Sequence, residues 1–142
     1  MKLKLFWRNI IWAIIILILC SIPGDDLPKT SAIHIPHFDK IVHFGMFFIM
    51  GIFLIAELRF QTRLKGFQIV LITVLLIGLY GGIIEYLQQH YFKNRSGDYI
   101  DLIADIFGGI FAVFLFPWLK KQKDLLINRK PFSKISILTK IL

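Results

Sequence analysis

Apolar residues gather in four long stretches, residues 6–22, 41–58, 66–89 and 98–119, parted by short polar segments. A helix needs about 20 mainly apolar residues to cross the hydrocarbon of a bilayer. The second stretch reaches that length once the polar turn at Asp39 is placed at the interface. Strands are excluded for the third and fourth, which run too long and too evenly apolar for the alternating pattern of a membrane barrel. The pattern predicts an all-α integral membrane protein, a bundle of four spanning helices. Between the first two stretches, Pro23, Pro28 and Pro36 with Gly24 and Asp25-Asp26 mark a loop, because proline breaks the helix ladder. Its length predicts a segment lying over the helix ends. The chain then divides into a four-span domain, 1–119, and a basic tail, 120–142, interrupted by Pro131 and expected to touch anionic lipid as a surface-lying or disordered segment.

Composition agrees with a membrane protein: 56% of the residues are hydrophobic and mean hydropathy is +0.69, more apolar surface than a soluble domain of this size can cover. The excess of cations does not point to nucleic acid, because the cations fall in the connections between spans. Thirteen of the 17 Lys and Arg residues lie before or at the very start of the first span, between the second and third, or after the fourth. Lys29, Lys40, Lys93 and Arg95 occupy the other two connections. The positive-inside rule then places both termini in the cytoplasm. The basic, apolar start resembles a signal peptide but lacks a small-x-small cleavage site, so the first span is expected to remain. Cys20, the single cysteine, excludes an internal disulfide.

Ionisable residues cluster at one end of three spans, the end that this topology turns outward. Asp39, Lys40 and His43 open the second span; Glu85 and Gln88 close the third; Arg95, Asp98, Asp101 and Asp105 enter the fourth. Residues three or four apart share a helix face, so Asp98, Asp101 and Asp105 form one stripe. Charges within hydrocarbon are costly unless they face a partner or a wet cavity. The arrangement predicts an outward polar groove lined by three helices. Its candidate acid and base residues are Glu85, His43 and Asp101; its candidate ligand-binding residues are Asp39, Lys40, Gln88, Arg95, Asp98 and Asp105. A structural alternative pairs Glu85 and Asp105 with Arg95 or Lys40. His34, His37 and His90 read as loop residues. All four histidines fall on the outer side, but their spacing matches no metal motif, so neither a metal nor a cofactor is expected. Gly78, Gly81, Gly82, Gly108 and Gly109 predict close helix packing. Asp98, after the turn at Ser96-Gly97, is placed to cap the fourth helix.

The run Asp39-Lys40-Ile41-Val42-His43-Phe44 resembles the D-K-x-x-H-F helix entry of VanZ-like membrane proteins. Glu85-Tyr86-Leu87-Gln88, Arg95-Ser96-Gly97-Asp98, Asp101 and Gly108 are similar to that family's later E-x-x-Q, R-S-x-D, D-x-x-x-N and G pattern. One departure is Asp105, where the family usually has Asn. The resemblance implies a cell-envelope role connected with low-level tolerance of the glycopeptide teicoplanin.

Three functions fit these residues. The first is binding, with or without chemistry, of a lipid-linked precursor or a glycan or glycopeptide ligand at the outer leaflet. Arg95 and Lys40 would hold its anionic group. The second is a proton- or ion-coupled carrier, which requires a route across the membrane, yet no matching charge is expected at the inward end. The third is a scaffold whose charges lock the helices together. Whether the protein is an enzyme stays open at this level.

Overall fold

The computed structural model describes residues 6–23 and 37–128. They form four helices, with no strand among the described residues: α1 (Trp7–Ser21), α2 (Phe38–Gln61), α3 (Gly66–His90) and α4 (Tyr99–Asn128). α2, α3 and the Tyr99–Gln122 portion of α4 are each long and apolar enough to cross a membrane. α1 has 15 residues, or roughly 22 Å at 1.5 Å per residue. It nevertheless links both ends of the bundle. Near its start, Arg8 and Asn9 reach Glu57, close to the end of α2. Just beyond its last turn, the Ile22 carbonyl accepts a hydrogen bond from Arg95, which precedes α4. α2 and α4 run parallel, with α1 and α3 opposed to them. Phe6 and Lys120 therefore share one end of the bundle, where Lys120 stands over the Phe60 ring.

Helix boundaries follow local chemistry. α2 opens at Phe38, not at 41, because His37 turns the chain in a left-handed conformation and Asp39 suits the positive end of a helix. The four-residue link 62–65 is closed by Thr62, whose N–H bonds back to the Leu58 carbonyl, and by the Lys65 N–H donating to Gln68 Oε1. α4 continues to Asn128, past the expected limit at 119, because no helix breaker follows Pro117 before Pro131. The loop residues 24–36, including Lys29 and His34, lie outside the described residues. So do Lys2, Lys4 and the tail beyond 128.

The core sits where α2 meets α4 and α3. Phe47, Ile77 and Ile84 are fully buried there, with Ile16 of α1 packed against them. Two glycines set the α2–α4 distance: a Cβ on Gly108 would collide with the Phe44 carbonyl, and one on Gly51 would stand 2.8 Å from the Ala112 side chain. Gly109 and Gly81 are similarly confined, as expected. Gly78 makes only ordinary contact with Ile106, and Gly82 faces open space, so close packing does not explain that glycine. Outward, Phe67, Leu75, Leu79, Phe107 and Phe114 are exposed. Such an apolar exterior is suited to lipid, not water.

Candidate functional site

The start of α2, the end of α3 and the start of α4 carry two tiers of charged side chains. In the upper tier, Lys40 Nζ lies 2.8 Å from Asp98 Oδ2, 3.0 Å from Asp101 Oδ1 and 3.2 Å from Asp39 Oδ2. Asp98 caps α4, its Oδ1 accepting the Ile100 N–H at 2.9 Å. The ammonium of Lys40 holds the Asp98 carboxyl below its ordinary value. A second link runs from α3: Glu85 Oε2 accepts the Asp98 backbone N–H at 2.8 Å. Gly97 makes this approach feasible, since a Cβ there would strike the Glu85 carbonyl.

One turn deeper, His43 Nδ1 lies 3.0 Å from Asp105 Oδ1 and 3.8 Å from Glu85 Oε1. His43, Glu85, Asp101 and Asp105 are all buried, Asp105 completely. The parallel run of α2 and α4 sorts the partners. Stepping inward from Lys40 to His43 on one helix matches stepping from Asp98 and Asp101 to Asp105 on the other. Glu85 Oε1 and Asp105 Oδ2 have no hydrogen-bond partner.

Seven of the sequence-predicted residues thus converge: Asp39, Lys40, Asp98 and Asp101 above, His43, Glu85 and Asp105 below. Two do not join them. Gln88 donates to the Cys20 carbonyl at 3.4 Å, and Arg95 Nε donates to the Ile22 carbonyl at 3.1 Å. Both therefore fasten the end of α1. The structural alternative is corrected in its partners, since Glu85 and Asp105 meet His43, not Arg95 or Lys40. His37 is the residue before α2, and His90 Nδ1 bonds to the Tyr86 carbonyl within its own helix.

At the opposite end lies a polar cluster that sequence reasoning missed. Glu57, fully buried, accepts from Asn9 Nδ2 at 2.5 Å and from Arg8 Nε at 3.2 Å. The expectation that no charge matches at this end is overturned. Its signal was a lone Glu in the apolar run of α2 and a lone Asn in that of α1. Thr73 of α3 is also fully buried, and its hydroxyl is unpaired.

An apolar exterior, three membrane-length helices and ionisable groups buried within them (His43, Glu57, Glu85, Asp101 and Asp105) define a helical membrane protein. The VanZ/LLP1 family model matches residues 3–120, and the chain belongs to that family. No curated protein and no solved structure matches it significantly.

Proposed function

We propose that the Asp98 end faces away from the cytoplasm and binds an anionic envelope ligand, a lipid-linked precursor or a glycopeptide such as teicoplanin. The observation that carries this reading is the state of Arg95. Its Nε is committed to a carbonyl, and among the described residues no carboxylate pairs with its guanidinium. Arginine offers a planar fork matched to phosphate or carboxylate. Lys40, by contrast, is shared among three carboxylates and contributes position more than free charge. Below this rim, Glu85, His43 and Asp101 are the acid and base groups for any chemistry on the bound ligand. The basic residues at the other end, Arg59, Arg63, Lys65, Lys120 and Lys121, suit the anionic cytoplasmic leaflet.

Teicoplanin tolerance of cells expressing the protein tests the reading. Arg95→Ala at unchanged membrane abundance should abolish tolerance; full tolerance in that variant rejects it. Orientation is checked by thiol labelling in a Cys20→Ala background, where Asp98→Cys should react from outside and Arg63→Cys only from within. A carrier is the second reading, favoured by the buried Glu57, Asn9 and Thr73, which extend polar groups toward the far end. Cation-dependent flux in proteoliposomes decides it.

A further inference from the structure

Three donor atoms of ligand type meet at the floor of the polar cluster. His43, Glu85 and Asp105 each offer one, and these atoms all lie within 4.8 Å of one another. They come from α2, α3 and α4, so the fold, not a local motif, assembles them. Ordinary ion pairing leaves this trio unfinished. The Glu85 side chain is 10% exposed, and its Oε1 is aimed at His43 Nδ1 from 3.8 Å, too far for a hydrogen bond. Asp105 Oδ2 is unpaired in a side chain with no exposure at all. Orphaned carboxylate oxygens at such depth call for a partner. Lys40 does not serve, because its ammonium is engaged by Asp39, Asp98 and Asp101.

We infer that His43, Glu85 and Asp105 form a binding site for a divalent transition-metal ion, Zn²⁺ or Mn²⁺. Nitrogen and oxygen ligands bonded at about 2.0–2.2 Å stand roughly 3.0–3.5 Å apart around one ion. The 3.0 and 3.8 Å separations from His43 Nδ1 bracket that range, so small side-chain movements admit the ion. Two carboxylates and a neutral imidazole balance a double positive charge. One imidazole among the ligands favours a transition metal over Ca²⁺ or Mg²⁺, which prefer all-oxygen shells. The ligands are also held from outside. Glu85 Oε2 is fixed by the Asp98 N–H, and Asp105 fits against Gly81, where a Cβ would stand 2.6 Å from Oδ2. Three protein ligands leave a coordination position for water or for an oxygen of another molecule. The sequence expectation of no metal came from spacing within single helices, which cannot register a site shared among three.

The inference requires no envelope ligand, and its test contains none; with the ion bound, His43 and Glu85 serve as ligands and Asp101 remains the acid or base group. Full-length protein in nanodiscs, stripped with chelator, is titrated calorimetrically with ZnCl₂, MnCl₂, CaCl₂ and MgCl₂. One Zn²⁺ or Mn²⁺ should bind per chain, with no saturable binding of Ca²⁺ or Mg²⁺. The near-isosteric Asp105→Asn and Glu85→Gln should each weaken binding by at least the roughly 10–100-fold that loss of a group supporting a ligand costs. Glu57→Gln and Arg95→Ala should keep their metal, so the loss of tolerance expected of Arg95→Ala is separable from loss of the ion. Should both ligand variants fail to fold, Co²⁺ in the wild-type protein gives the answer, since ligation by imidazole and carboxylate shifts its visible absorption from that of the hydrated ion. Absence of saturable binding, wild-type affinity in the folded variants, or an unshifted Co²⁺ spectrum overturns the inference.

Discussion

Glu85 Oε2 accepts the backbone N–H of Asp98 at 2.8 Å, tying the last turns of α3 to the residue that caps α4. A buried acceptor on one helix thus fixes where the next begins. Glu85→Gln keeps an oxygen in place and should fold normally. Glu85→Ala leaves the N–H without its partner and should cost about 1–3 kcal/mol. Unfolding of purified protein in mixed micelles measures the difference between the two.

Acid should erase the contribution of the Asp98–Lys40 pair. Lys40 holds the folded Asp98 carboxyl below its ordinary value of 3.8, so the folded state binds this proton less firmly than the unfolded state. The stabilisation is therefore full above that ordinary value and is lost as pH falls through the lowered one. Asn also caps helices well, which makes Asp98→Asn a suitable reference. The thermal stability gap between wild type and Asp98→Asn should stay constant from neutral pH down to about 5 and close below the ordinary Asp range. Added salt should narrow the gap wherever Asp98 is ionised, because the pair is partly exposed.

Gly108 and Gly82 should respond oppositely to alanine. At Gly108 the new methyl meets the Phe44 carbonyl and the Phe48 nitrogen, backbone atoms that cannot step aside. Forcing α2 and α4 apart should cost about 1–3 kcal/mol or more. Nothing lies within 4 Å of a Cβ at Gly82, so alanine there should be neutral or stabilising by up to about 1 kcal/mol through helix propensity. Parallel unfolding curves compare the pair.

Removing Glu57 should be among the most damaging single changes at the Phe60 end. Glu57→Ala takes one ion-pair partner from the partly buried Arg8 and the hydrogen-bond acceptor from the buried Asn9. Breaking a fully buried ion pair from one side costs about 3–5 kcal/mol, and the partial exposure of Arg8 puts this loss toward or below the lower figure. Detergent stability should fall accordingly. If the cluster only fastens α1, Arg8→Met combined with Glu57→Leu should recover much of the loss, and a double-mutant cycle measures the coupling.

The helices were legible because membrane crossing demands long apolar runs, and these survive in any reading of the chain. The stripe of Asp98, Asp101 and Asp105 was legible for the same periodic reason. Partner choice was not. Nothing in the spacing says that Lys40 takes Asp98 and Asp101 while His43 takes Asp105; that follows from the parallel register of α2 and α4, a property of the packed bundle. Gln88 and Arg95 carried the right chemistry for the site, yet each is turned toward α1 by a carbonyl at the end of that helix. Glu57 escaped notice because its partners lie 48 and 49 positions away in sequence.

The 15 residues of α1 have a consequence for the surrounding lipid. Its roughly 22 Å falls short of a hydrocarbon slab of about 30 Å, while its neighbours do not. A helix this short is expected to draw the lipid interface inward on its own flank, thinning the annulus there. Thinner membranes should accept this protein with less deformation than thick, sterol-stiffened ones.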